Sequence, residues 1–445
     1  MRPIGIDLFA GAGGMSLGFE QAGFDIVAAV EIDPVHCAVH KFNFPHCAVM
    51  PRSVVDLTGS EIRVAAGIGK RKVDVVFGGA PCQGFSMIGQ RALDDPRNAL
   101  VRDFLRIVAE LDATYFVFEN VKGLTLGRHR QFLDEIVATA DELGYDVLSP
   151  WRVLDAAHFG VPQHRERLFL YGAKRSKTLP SYPHQTTRAA DGRGKASAAL
   201  PIGPNAFEAL SDIPDADLFE ALSHTDEVRP DTWGDPSVYA SEFRCLTNDA
   251  WHYGYVRQWD PSLLTSSART EHTDISRRRF SATTAGDTEP VSRFYKLSPN
   301  GLSNTLRAGT DGARGAFTSP RPIHYEHPRC VTVREMARLH GYPDWFRFNE
   351  TKWHGARQIG NSVPPPLARA VAAQVLASMS VVPKRPFETL DLGDTALLRM
   401  NLSQAADHFG VTAMPSKRDR KSGATKRKQA EIEAMSHIEK RSLYA

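Results

Sequence analysis

Cys82 sits in the run Gly78-Gly79-Ala80-Pro81-Cys82-Gln83-Gly84-Phe85-Ser86, directly after the apolar, β-branched stretch 73–77. Such a stretch reads as a buried strand. The thiol therefore lies in a tight loop at a strand's carboxyl end, where open α/β sheets bind their ligands. A thiol placed there becomes a nucleophile if its pKa is lowered; otherwise a lone cysteine in a turn is a small buried side chain. Two more motifs could do chemistry beside it. Glu119-Asn120-Val121 closes the strand-like run 115–118 and brings a carboxyl to the same end of a neighbouring strand. Gln163-His164-Arg165-Glu166-Arg167 offers two guanidiniums on one face of an extended segment. Taken singly, Glu119 is a surface acid and the arginines a solvated edge.

The elements that must position these groups alternate. Strands are expected at 4–9, 26–30, 48–49, 73–77, 115–118, 147–153 and 167–171, and helices at 14–21, 34–42, 98–111 and 131–143. This alternation implies an α/β fold, a doubly wound parallel sheet with helices on both faces. Gly11-Ala12-Gly13-Gly14 after the first strand lets backbone amides approach a ligand at a helix N-terminus. Glu31, at the end of the second strand, can bond ribose hydroxyls, and Asp56 can accept from an adenine amino group. These features are ambiguous between NAD and S-adenosylmethionine; the dinucleotide fingerprint asks for a third glycine where Ser16 stands.

Composition sets wider bounds. The chain has 445 residues, and its net charge of +3 does not by itself announce a nucleic-acid partner. Its five cysteines are odd in number and lack metal-ligand spacing, which favours reduced thiols in the cytoplasm and no metal site. No apolar run is long enough to span a bilayer. Near Ala173 the periodicity breaks, and 175–325 reads as an irregular second domain rich in Ser, Thr, Pro, Asp, Arg and aromatic residues. Helical spacing returns at 333–340 and 364–379, and a basic stretch runs from Lys417 to Lys428.

Taken in order, the motifs resemble the cytosine-C5 DNA methyltransferase family: Asp7-Leu8-Phe9-Ala10-Gly11-Ala12-Gly13-Gly14, Glu31, Asp56, Pro81-Cys82-Gln83, Glu119-Asn120-Val121, Gln163-x-Arg165-x-Arg167, Arg334-Glu335-x-Ala337-Arg338-Leu339 with Gly341-Tyr342-Pro343, and Gly360-Asn361-Ser362-Val363-Pro364. The match covers about 1–175 and 300–380, and departs from the family at His340, where Gln is usual, and Tyr342, where Phe is usual. The resemblance implies a class I S-adenosylmethionine-dependent fold, Rossmann-like, and a catalytic set of Cys82, Glu119, Arg165 and Arg167. It implies a cofactor set of Phe9, Gly11, Gly13, Gly14, Glu31, Asp56, Leu57, Pro81, Asn361 and Ser362, with S-adenosylmethionine as cofactor. Cys82 would add to cytosine C6, Glu119 would serve N3, and the two arginines would hold the base O2 and a phosphate or Glu119. The base must leave the duplex to reach such a site.

The same resemblance makes 175–325 the target-recognition domain, 1–174 and 326–382 the catalytic domain, and 383–445 a basic extension. Gln83, Ser86, Arg277, Arg278 and Arg307 are the candidate contacts to double-stranded DNA. The expected setting is a monomer, without membrane association, that modifies host DNA alongside a partner restriction endonuclease. The basic tail is expected to add affinity through phosphates without adding specificity.

Overall fold

The computed structural model describes residues 2–81, 99–125, 130–310 and 319–412. Residues 2–309 and 319–412 belong to one compact unit. The first part of the chain runs β1 (Ile4–Leu8), α1 (Gly14–Ala22), β2 (Asp25–Val30), α2 (Pro34–Asn43), β3 (Ala48–Met50), α3 (Gly59–Ala65), β4 (Val75–Gly78), α4 (Ala99–Glu110), β5 (Tyr115–Val121), α5 (Arg130–Glu142), β6 (Tyr145–Val147), β7 (Arg152–Asp155) and β8 (Glu166–Lys174). β1 and β4 are buried at every position, as strands covered on both faces must be.

These strands form one sheet in the order β3-β2-β1-β4-β5-β8-β6, with β7 also on β8. From β3 to β5 the pairing is parallel. The chain leaves β1 towards β2 on one side and returns at β4 on the other, so the crevice for a ligand opens above Leu8 and Gly78. Side chains alternate between two cores. Val75, Phe77, Tyr115 and Val117 join one cluster, and Ile4, Ile6, Val76, Phe116 and Phe118 join the other.

Beyond β5 the sheet departs from the parallel expectation: β8 runs antiparallel to β5, β6 and β7. The single strand expected at 147–153 is two short strands that pair with different stretches of β8. Pro150 interrupts them, since proline brings no backbone N–H to a ladder.

The rest of the chain has short elements: α6 (Ala206–Leu210), α7 (Val238–Phe243), β9 (Val256–Gln258), α8 (Asp274–Ala282), α9 (Val333–His340), α10 (Lys352–Asn361), α11 (Pro365–Ser378), β10 (Thr389–Asp391), α12 (Ala396–Arg399) and α13 (Leu402–Phe409). α11 packs on α1 so closely that a Cβ on Gly18 would lie 2.4 Å from that of Ala368. Among the described residues, no helix is long and apolar enough to cross a membrane. Nor is any group of three or more His, Cys, Asp or Glu placed to hold a metal ion.

Buried arginines on and beside α9 fasten 206–267 to the core. Arg338 bonds Asp212 at 3.1 Å and Asp344 at 2.7 Å, with both carboxylates buried. Arg334 donates to Thr265 O, and Arg329 bridges Asp215 and Glu335. Removing the guanidinium of Arg338 would leave two buried carboxylates with only longer contacts, Asp212 to Arg244 and Asp344 to Arg334, each at 3.6 Å, a cost of up to about 3–5 kcal/mol. Arg338→Met is therefore expected to lower the denaturant midpoint sharply in equilibrium unfolding; an unchanged midpoint would contradict this role.

Candidate active site

One cavity of about 530 Å³ opens at the carboxyl ends of β1, β2, β4 and β5. Its floor is the turn after β1. Phe9, Gly11 and Gly13 all take positive φ there, and α1 begins at Gly14. Gly13 at φ 104° has no room for a side chain, because a Cβ would sit 2.6 Å from the Phe44 ring. Glu31 is fixed by two amides: its carboxylate accepts from Gly11 N and from Asp33 N, both at 2.9 Å. Asp33 caps α2 by accepting from Val35 N.

Of the residues expected at the cofactor, Phe9, Gly11, Gly14, Glu31, Pro81, Asn361 and Ser362 line this cavity. Gly13 shapes the turn without lining it. Asp56 and Leu57 do not line it either. Asp56 is exposed in a 3₁₀ turn over 54–56, its carbonyl accepting from Arg52, and Leu57 is packed in a core cluster. Arg52, Ser53 and Val54 line the wall instead, as do Asp7, Asp33, His36, Arg357 and Gln358. Only the acidic residue after the third strand was a usable sequence signal, and it lies two to four positions beyond the lining residues.

The same cavity reaches Gly79, Pro81, Glu119, Asn120 and Arg167. The register of β5 against β8 explains this grouping. Glu119 lies opposite Phe169 and Val121 opposite Arg167, so Glu119 and Arg167 are diagonal neighbours on one face. Arg167 Nε lies 2.8 Å from Glu119 Oε1, and both side chains are largely buried. Gly79 makes space for that carboxylate, since a Cβ there would lie 2.3 Å from Glu119 Oε2. Asn120 Nδ2 donates to Ala80 O at 3.0 Å and ties the end of β5 to the chain leaving β4. Burial raises the Glu119 pKa above the ordinary carboxylate value, while Arg167 and then Arg165 pull it back.

Cys82, Gln83 and Ser86 lie outside the described residues. Arg165 is 1% exposed and does not line the cavity. Its guanidinium donates to Leu306 O at 3.0 Å and Gly360 O at 2.8 Å. Next to it, Gln163 donates to Leu339 O and accepts from Leu306 N. Gln163 Nε2 also meets His340 Nδ1 at 2.9 Å, and His340 Nε2 lies 3.2 Å from Ser362 O. With Nδ1 accepting and Nε2–H donating, His340 is the neutral tautomer, and burial lowers its pKa accordingly. Of the DNA candidates, Arg277 is paired with Asp217 at 2.6 Å, whereas Arg278 and Arg307 are exposed.

Asp7, at the cavity floor, is 1% exposed and accepts from Ser16 Oγ at 2.6 Å. Burial pushes its pKa from 3.8 to about 8, against the Ser16 bond and with the Glu31 charge. The native chain thus holds this proton where the unfolded chain has lost it. Asp7 therefore costs stability as pH rises between the two values, about 4 to 8. Asp7→Asn, which cannot titrate, is expected to melt increasingly higher than the parent chain as pH climbs from about 5 to 8. A difference in Tm that stays constant across that range would contradict the assignment.

Residues 4–377 match the family model described as C-5 cytosine-specific DNA methylase. The Type II methyltransferase M.XorII of Xanthomonas oryzae pv. oryzae is 58% identical over 412 residues, covering 93% of each chain. The Type II methyltransferase M1.HphI of Haemophilus parahaemolyticus is 33% identical over 83% of this chain and 86% of its own. Among solved structures, a prophage-encoded DNA modification methyltransferase of E. coli superposes with a TM-score of 0.65 at 29% identity, over 85% of this chain and all of its own. This chain belongs to the C-5 cytosine-specific DNA methylase family.

Proposed function

We propose that this enzyme methylates cytosine C5 within one particular sequence of double-stranded DNA, using S-adenosylmethionine, as the modification half of a restriction-modification system. The observation that carries the reading is the single cavity joining the Gly-rich turn and Glu31 to Glu119 and Arg167. The cofactor fits the residues present. Glu31 offers a carboxylate to ribose hydroxyls, Phe9, Val54 and Pro81 offer apolar surface to a purine, and the turn after β1 leaves space for a close approach. Ser16, where a dinucleotide site has glycine, is instead buried against Asp7. When bound, S-adenosylmethionine supplies an electrophilic methyl group.

The chain's own residues supply the rest. The Cys82 thiolate bonds to cytosine C6, and the electrons of the C5–C6 double bond become available at C5 for the new C–C bond. Negative charge grows in the ring as that happens. A carboxyl that takes a proton more readily than usual, as Glu119 does, can donate to N3 and relieve it. Arg167 holds Glu119 in place and faces the same space. Loss of the C5 proton then expels the Cys82 sulfur and restores the double bond. We assign Arg165 to positioning, because its guanidinium is buried away from the cavity and donates to Leu306 O and Gly360 O. We assign sequence readout to 175–325, with the exposed Arg278 and Arg307 as candidate contacts, and we read the names of the Type II relatives as pointing to a partner endonuclease.

Expression in a methylation-free host followed by bisulfite sequencing tests this directly. Protected cytosines are expected at one recurring sequence; none, or protection scattered over unrelated contexts, would overturn the reading. Within it, Glu119→Gln is expected to slow single-turnover methylation by about 10²-fold or more while leaving DNA affinity within about threefold. An equal loss in affinity with unchanged chemistry would make Glu119 a positioning residue.

A further inference from the structure

The match to the family model ends at residue 377, and the described chain continues in contact with the fold to residue 412. It passes the N-terminus, where Arg2 donates to Lys384 O at 2.9 Å, and pairs β10 alongside β9. Gly393 N then donates to Phe42 O at 2.8 Å, and α12 and α13 pack on α2. The seam is apolar and closed: Leu397 and Leu398 join Ala38, Val39 and Phe42 of α2, with Leu392, Met400 and Phe409 against them. Its far side is pinned as well. Glu350 N donates to Leu398 O, Arg399 pairs with Glu350, and Asn349 donates to Met400 O.

This seam touches the cofactor end of the cavity. Ala12, from the Gly-rich turn, belongs to the same apolar cluster as Leu398 and also lines the cavity. α2 is held from one side by the C-terminal segment and presents His36 to the cavity on another. The start of α2 fixes Glu31: Asp33 N donates to its carboxylate, and Cys37 Sγ lies 3.3 Å from its carbonyl. A shift of α2 therefore moves Glu31, and with it the Gly11 amide that Glu31 holds.

We propose that residues 383–412 form a strap, beyond the end of the family-model match, that sets the cavity's affinity for its S-adenosyl cofactor by bracing α2 and Ala12. The proposal rests on the reading of this cavity as the S-adenosylmethionine site. The strap touches neither Glu119 nor Arg167, so it acts on cofactor binding and not on the chemical step.

The test uses the full chain and the variant Leu398→Ala, which empties the middle of the seam at a residue with no solvent exposure. The strap account expects Kd by calorimetry and KM for S-adenosylmethionine to rise about tenfold, with kcat at saturating cofactor and KM for DNA within about twofold of the parent. A parent-like Kd, or a proportional loss in kcat and both KM values, would overturn the strap as a cofactor-positioning element. Parent chain that binds no S-adenosylmethionine would instead overturn the cofactor reading. If Leu398→Ala does not fold, the milder Leu398→Val decides by the same split, with an expected rise of about threefold.

Discussion

The antiparallel pairing of β8 on β5 is the constraint on which the site depends. A sheet that continued in parallel would carry Arg167 of β8 away from the carboxyl ends of β1 and β4. Reversing β8 brings Arg167 diagonally across from Glu119, at the end of the sheet where the Gly-rich turn also lies. The pair is compatible with its surroundings only because Gly79 has no side chain and Asn120 ties down Ala80. Opposite charges at 2.8 Å offset part of the cost of burying both groups, yet burial still dominates at Glu119 and leaves it a readier proton carrier. The geometry that holds the acid thus also tunes it.

Arg165 extends this constraint to the far end of the chain. Isolated in a core, a guanidinium would cost several kcal/mol. Here two backbone carbonyls meet it, one from Leu306 and one from Gly360. Those carbonyls belong to segments that must approach each other closely: a Cβ on Gly360 would lie 2.3 Å from Ala308 N. The last part of the irregular middle of the chain and the end of α10 are therefore docked together on the residue that leads into β8. Gln163, His340 and Ser362 form a parallel link beside it. Asn361 and Ser362 reach the cavity because this buried polar frame holds them there. Arg329, Arg334 and Arg338 do similar work around α9, where each meets carboxylates or carbonyls with almost no solvent contact.

Much of this was legible in the residues. The apolar runs of β1, β4 and β5 and the glycines after β1 announce their places locally, because burial on both faces and positive φ each demand particular residue types. What was not legible depends on pairing partners far away in sequence. The direction of β8 is invisible to periodicity, as is the split of 147–153 into β6 and β7 around Pro150. Asp56 and Leu57 stand two and three residues past Val54, the last of that lining stretch, in and just after a 3₁₀ turn capped by Ser53. Arg165 and Arg167 look alike in sequence, but the first is closed off by carbonyls and the second faces the cavity. The extension after residue 382 reads as a basic tail, yet its first thirty residues or so supply β10, α12 and α13, elements too short for a periodic signal and stabilised mainly by the apolar face of α2.

The central claim is that a thiol beside Pro81 attacks cytosine while the Glu119 carboxyl serves the ring. Duplex DNA carrying 5-fluorocytosine at the methylated position tests it most directly, because fluorine cannot leave C5 as a proton does and the bond to sulfur cannot be released. With S-adenosylmethionine present, the account expects a one-to-one complex that survives denaturant and maps by mass spectrometry to Cys82. An enzyme that methylates ordinary cytosine at the same site but yields no such complex, or one mapping to another residue, would contradict it.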